Sequence, residues 1–336
     1  MISAQVAKAA SITSRWDKNM ITYDFYSGDL SCIKCIWDEI FADPEEFTGY
    51  YFDVICKKNI ILVAWNEDEI VGMVHLNPYD VLYEGRKEKS YYIVGVCVKE
   101  KYRFHGIMRE MMKYVMEFMK NEGIKFTFLM PKDEAYYVGL GFENIYSNIE
   151  VKYNKLVLKE DLKKENLSFE NISKYSDENL SSMGSELNRI LGEKFSYYSK
   201  RDIKYLREFI MEHECQSGGV MAIYNQDMLT GYFSYDIYVQ RDKKDMYVER
   251  FCTNDTDVEN VLEHIKEFAI GNECDTLCVT IPNDTIKPSN NLKEKLIEIE
   301  GKNIKIYKGK GIMAYSFIEG QDVGFMKKKS FFDEIV

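Results

Sequence analysis

The chain has 336 residues, enough for two domains of roughly 100–200 residues each. Its net charge of −11 argues against nucleic acid, which needs clustered Lys and Arg, and suits cationic small molecules, which acidic clefts concentrate. No stretch offers the roughly 20 uncharged apolar residues of a membrane span, and the first residues lack the apolar block of a secretory signal, so a cytoplasmic protein without membrane partners is expected.

Residues 1–20 read as an N-terminal extension, after which "MITYDFY" alternates like a strand. Residues 29–58 are helical, interrupted near Pro44. "NIILVAW" and "IVGMVHLNPY", joined by the turn "NEDE", predict a hairpin. "YYIVGVCV" is a near-continuous apolar run, expected to be a strand buried on both faces. The basic turn "RFHGIM" leads into a helix whose Ile107, Met111, Val115 and Phe118 recur at helical spacing, with Gly123 as its stop. The strand "KFTFLM", a short helix from Asp133 and the strand "FENIYSNIEVKY" complete the first half.

"NKLVLKEDLKKENL" is charged and has no core periodicity, which places a junction there. Beyond it come the strand "LSFENI", helices over 177–195 and 200–214, and the hairpin "GGVMAIYNQDMLTGYFSYDIY". The strand "MYVERFCT", a helix capped by Asp255 or Asp257, and the strands "TLCVTI" and "GIMAYSFIE" complete the second half. The recurring order predicts two copies of one α/β (α+β) fold, each a mixed, mostly antiparallel sheet flanked by helices. The expected division is an extension at 1–20, a first domain at 21–154, a linker at 155–166, a second domain at 167–319 and a tail at 320–336.

The chemistry concentrates in residues 94–142. A strand, a basic Gly-containing turn and a helix start make an anion-binding device, because turn N–H groups and the helix dipole both favour negative charge. Gly106 lets the main chain approach phosphates closely, and Arg103 adds positive charge at the mouth. Some 25 residues later "FLMP" ends a strand and "AYYVGLGF" comes next; the second half has no Arg-x-x-Gly between its strand and its helix. Cys32-x-x-Cys35 and Cys274-x-x-x-Cys278 have spacings open to zinc, but "CIKCIWDEIF" reads as an amphipathic helix and "LCVTI" as a buried strand, so no metal is expected.

This order of motifs resembles the GNAT superfamily of acyltransferases, in which Arg/Gln-x-x-Gly-x-Gly/Ala holds the pyrophosphate of CoA and a later Tyr-x-x-Leu-Gly-Phe carries an acid tyrosine. Arg103 and Gly106 match the first motif; Tyr137, Leu140, Gly141 and Phe142 match the second. Met108 departs from the first, standing where Gly or Ala is usual. The two copies and the "IMA" of the final strand resemble the enhanced-intracellular-survival (Eis) type of tandem GNAT acetyltransferase over residues 20–319. The resemblance implies acetyl-CoA as co-substrate, with its pantetheine on the strand residues Val96, Cys97 and Val98. It places the phosphates on Arg103, Phe104, His105, Gly106, Ile107 and Met108, and makes Tyr137 the general acid. It also implies a non-catalytic second copy. In that family a third, sterol-carrier-like domain is added and the C-terminal carboxylate helps deprotonate the substrate; this sequence ends at Val336, which leaves the base open.

The expected acceptor is a primary amine of a small cationic molecule or a lysine. Phe41, Asp43 and Glu46 at a helix–helix corner, with His75 on the same rim, are the candidate substrate contacts, although Asp43 and Pro44 also read as a helix cap. Asp133 and Glu134 are possible bases acting through water, and Asp133 equally reads as an N-cap. The rival reading is an acyl-CoA-binding sensor or assembly module without turnover. A homo-oligomer is compatible with either.

Overall fold

A computed structural model describes residues 21–158, 167–254, 258–282, 296–297, 303–327 and 329–333. The cap expected at Asp255 or Asp257 and the Val336 carboxylate lie outside the described residues.

The first half opens with β1 (Ile21–Phe25), α1 (Leu30–Ile40) and α2 (Glu45–Tyr50), the last extended by tighter and wider turns to Lys58. The Asp29 carboxylate caps α1 by accepting from the Ser31 N–H at 3.0 Å, and Pro44 stands just before α2 as the chain corners. Next come β2 (Ile60–Asn66), β3 (Glu69–Tyr83), β4 (Arg86–Val98), α3 (Ile107–Asn121), β5 (Phe126–Leu129), α4 (Ala135–Val138) and β6 (Glu143–Tyr153). The second half runs β7 (Leu167–Asn171), α5 (Asp177–Lys194), β8 (Tyr197–Ser199), α6 (Ile203–Glu214), β9 (Gly219–Asn225) and β10 (Met228–Gln240). It continues with β11 (Lys243–Val248), β12 (Phe251–Thr253), α7 (Val258–Gly271), β13 (Thr276–Pro282), β14 (Ile304–Ser316) and β15 (Ser330–Phe331). Among the described residues, no helix is long and apolar enough to cross a membrane.

The fold is α/β, with a large, mostly antiparallel sheet flanked by helices. Its strand order is β1-β2-β3-β4-β5-β14-β6-β13-β11-β10-β9-β7. Each half contributes an antiparallel meander ending in one parallel pair, β4 with β5 and β11 with β13. The strands that close the halves change places. β14 lies antiparallel against β5 of the first half, and β6 lies antiparallel against β13 of the second. These two exchanged strands pair with each other over most of their length, so one sheet runs through both halves.

Helix α3 covers one face of the first half through Ile107, Met111, Met112, Val115 and Met119. On the opposite face Trp37 of α1 packs with Tyr51, Phe52 and Met73. The C-terminal segment fastens the halves together on that same side. Phe332 stacks on Phe128 of β5 at 4.3 Å, while its neighbour Phe331 stacks on Phe195 of the second half at 5.3 Å.

Three expectations need correction. The run "YYIVGVCV" is not buried throughout: Tyr92, Ile93 and Cys97 are buried, whereas Val94, Val96 and Val98 are half-exposed, because β5 leaves β4 after one paired position. "MYVERFCT" is two strands, broken at Glu249–Arg250, since β11 pairs with β13 while β12 pairs only with β10. The helix read from 200 starts at Ile203, because Tyr197–Ser199 pairs with β3 and Asp202 caps α6.

A buried ion pair holds the C-terminal segment. Arg201 gives a 2.5 Å bond to Asp333, and Tyr232 and Tyr205 also donate to that carboxylate. Removing one partner strands the other charge in the interior. Asp333→Ala is expected to cost about 3–5 kcal/mol in chemical denaturation. The double change Arg201→Met with Asp333→Leu should recover most of that loss.

Candidate functional site

The site grows from a defect in β4. Between the pairs His75–Val94 and Met73–Cys97, β4 holds one residue more than β3, and Gly95 takes up the excess at φ +62. A side chain could not replace it cheaply: a Cβ there would stand 2.7 Å from Trp37 Cζ3. The bulge bends the end of β4 away from β5, and only Tyr92 and Phe128 pair between those strands. Beyond Tyr92 the β4 edge facing β5 is therefore free to bond an extended ligand. Val96, Cys97 and Val98 lie on this stretch. Val96 and Val98 are half-exposed, while the Cys97 thiol points into the Trp37 core, where burial pushes its pKa up to about 12.

From Val98 the chain turns through Lys99–Gly106 into α3. Arg103 Nε donates to the Val98 carbonyl at 3.0 Å, which folds the turn back on the strand. Glu69 ties the turn from below, accepting from Lys99 at 3.1 Å and from Lys101 and the Tyr102 hydroxyl at 3.0 Å each. These donors hold the Glu69 carboxyl well down, to about 2. Gly106 is left-handed at φ +81, and an added Cβ there would meet nothing within 4 Å, so the space over the start of α3 is open. Phe104 is also left-handed, at φ +65, and its ring is wholly exposed, while His105 is exposed beside it. Ile107 is buried under α3, and Met108 is half-buried at the edge of that core with its side chain directed to packing.

Tyr137 lies on α4, in the core under α3. The ring is 7% exposed and meets Phe142 edge-on at 5.9 Å. Burial first, then Tyr136, pushes its phenol up to about 12, so it keeps its proton at any ordinary pH. Asp133 accepts from the Ala135 N–H at 2.9 Å, a capping geometry, and Glu134 accepts from Asn144 at 2.7 Å.

The proposed substrate side chains gather round Trp37. Phe41 packs on its ring at 4.6 Å, and Asp43 accepts its indole N–H at 3.0 Å. His75 is fully buried, with Nδ1 2.8 Å from the Tyr51 hydroxyl. That hydroxyl also accepts from Asn59 at 3.1 Å. Burial pulls the His75 pKa down to about 3, and the ring is neutral. Glu46 is exposed on α2 and apart from this cluster.

A bulged strand parts from its parallel neighbour, a left-handed glycine opens the next helix, and Tyr137 is buried in the same core as Ile93 and Ile107. Residues 26–145 match the family model for the acetyltransferase (GNAT) domain. Over that stretch the chain is similar to an acetyltransferase (GNAT) domain. No curated protein matches the sequence.

Solved structures share the fold well beyond this GNAT domain. A conserved protein of unknown function from Enterococcus faecalis V583, described as a probable N-acyltransferase, matches with TM-score 0.63 at 11% identity over 88% of this chain and 73% of its own. A GCN5-related N-acetyltransferase from Kribbella flavida matches with TM-score 0.62 at 13% identity, covering 90% and 72%. Eis1 from Mycobacterium abscessus matches with TM-score 0.54 at 10% identity, covering 87% and 72%. Identities this low establish a common fold. Among the described residues, no group of three His, Cys, Asp or Glu side chains could hold a metal.

The Arg-x-x-Gly turn and the tyrosine motif were legible as local patterns, whereas the Glu69 clamp was not, because Glu69 is 30 or more residues from the turn it holds. Glu69 titrates below its ordinary 4.5, so its hold is complete above that pH and is lost as pH falls toward about 2. Glu69→Gln should lower the hydrogen-exchange protection of the Lys99–Gly106 amides severalfold at neutral pH. In the native chain the same loss should set in only on acidification between those values.

Proposed function

We propose that the chain transfers an acetyl group from acetyl-CoA to a primary amine, with Tyr137 as general acid. The observation that carries this reading is the open edge of β4 leading without interruption to the left-handed Gly106 at the start of α3. An edge strand bonds the amide-rich pantetheine as if it were another strand, and a glycine-led helix start takes the pyrophosphate. Val96 and Val98 serve as the strand contacts. Arg103, Phe104, His105, Gly106, Ile107 and Met108 surround the phosphates, where the Met108 N–H still serves although its side chain turns to the core. We further propose that residues 21–154 form this catalytic unit, with 167–319 as its non-catalytic counterpart.

In the reaction the amine nitrogen attacks the thioester carbonyl carbon, and the tetrahedral intermediate collapses with breakage of the C–S bond. Tyr137 gives its phenolic proton to the departing CoA sulfur, and the proton shed by the amine leaves to water. A buried phenol at about 12 still suits this task, because the same dry surroundings raise the basicity of the leaving thiolate. Of the acceptor contacts expected from the sequence, the exposed Glu46 is proposed to supply negative charge on the rim, while Phe41, Asp43 and His75 pack round Trp37.

Tyr137→Phe should lower kcat about a hundredfold or more, while acetyl-CoA affinity in a binding titration stays within error. Equal turnover of the two proteins would remove Tyr137 from the mechanism. Gly106→Val adds a side chain into open space at a left-handed position, at a cost of about 1–2 kcal/mol in folding. It should weaken acetyl-CoA about tenfold or more while the fold survives thermal denaturation near the native midpoint.

A further inference from the structure

The second half repeats the defect that builds the first cleft. Asp236 pairs with Tyr247, and the Ser234 N–H bonds the Arg250 carbonyl at 2.9 Å, so the run from β11 to β12 also holds one residue more than β10. By this register Glu249 stands where Val96 stands in β4. The strands part here too: β11 pairs with β13 as far as Val248–Val279, and β12 does not pair with β13. In the first half this geometry leads on to Arg103 and Gly106; the second half has no such turn, so it offers a cleft without a phosphate grip.

A cavity of about 130 Å³ fills that second cleft. Glu249 and Arg250 come from its bulge, Asn148 and Glu150 from the exchanged strand β6, Lys310 from β14, and Met130 from the end of β5 in the first half. Asn148 and Glu150 are two apart on one strand and so share a face. Asn148 is 8% exposed, and its Oδ1 has no hydrogen-bond partner. Arg250 is already held by the buried Glu212 at 2.5 Å, and Asp333, also in the wall, by Arg201. Glu249 and Glu150 have no ion pair among the described residues, and burial holds the Glu249 carboxyl above its ordinary range. Lys310, the remaining cation of the wall, is exposed at its rim.

We propose that this cavity seats the primary ammonium group of the acceptor. An ammonium has three N–H donors and no acceptor, and the wall offers Glu249, Glu150 and the unpartnered Asn148 oxygen. A cation there would also relieve the burial of Glu249. The volume limits the occupant. An engineered apolar cavity of about 150 Å³ takes one benzene, so this space admits about six non-hydrogen atoms, a short alkylamine or one end of a longer one. Met130, directly after β5, carries the cavity wall to the strand that parts from β4. Asp43 and His75, by contrast, already have partners in Trp37 and Tyr51. The assignment to the acceptor rests on the acetyl-transfer reading; the binding itself does not.

The test is a calorimetric titration of the whole chain, without acetyl-CoA, with n-butylamine and with its neutral counterpart 1-butanol. The amine is expected to bind and the alcohol not. Glu249→Gln and, independently, Glu150→Gln should each weaken the amine about tenfold. In steady-state acetyl transfer, Glu249→Gln should raise KM for butylamine by the same factor with kcat little changed. Absence of amine binding to the native chain, or native affinity in both variants, overturns the site. Binding that depends on Glu249 without any acetyl transfer supports the site and overturns the acetyl-transfer reading instead. Transfer with an unchanged KM in Glu249→Gln does the reverse.

Discussion

The pairing between β4 and β5 stops after Tyr92 and Phe128, and the proposed binding site depends on that stop. The cause is local. One surplus residue in β4, absorbed by Gly95 in a left-handed conformation against Trp37, bends the strand and leaves its edge without a partner. An unpaired edge inside a sheet is normally a liability, since its N–H and C=O groups demand partners. Here the next turn ends in Gly106, and an extended ligand with an anionic end satisfies the strand edge and the helix start together. On the proposed reading a backbone irregularity is the binding surface, so few of the proposed contacts depend on side-chain identity.

The same constraint explains how the halves are joined. A parallel pair that splays cannot close its own sheet, so β5 and β13 each need a further strand on their outer side. Each half supplies that strand to the other, β14 to β5 and β6 to β13, and the two exchanged strands zip together at the centre. The second half and the C-terminal segment bury three charged or polar pairs, Arg201 with Asp333, Arg250 with Glu212, and His213 with Asp236 at 2.8 Å. Burial pulls His213 down to about 4 and pushes Asp236 up to about 7, so the last pair tends toward a neutral hydrogen bond rather than an ion pair.

Much of the first cleft was legible in the sequence because its signals are local. Arg103-x-x-Gly106 sits between an apolar run and a helix of regular spacing, and Tyr137 precedes Leu-Gly-Phe at a fixed distance. Helix α3 likewise announces itself through its apolar periodicity and the Gly123 stop. The features hidden from the sequence are non-local. Nothing in "GIMAYSFIE" says that it will lie between two strands of the first half, and nothing in "SFFDE" says that Phe331 and Phe332 will enter different cores. The bulge at Gly95 was hidden inside an apolar run, and its echo at Glu249–Arg250 looked like a single strand with two charges in it. His75 was read as a rim residue because "HLNPY" reads as the end of a strand, whereas β3 continues to Tyr83 and carries His75 through the core.

The most direct measurement of the central claim is a crystal structure of the chain with CoA bound. The account predicts pantetheine amides bonded to the main chain at Val96 and Val98, the pyrophosphate over the N–H groups from Arg103 to Met108, and the CoA sulfur within hydrogen-bonding reach of the Tyr137 hydroxyl. CoA bound away from the gap between β4 and β5, or bound there with its sulfur remote from Tyr137, would contradict it.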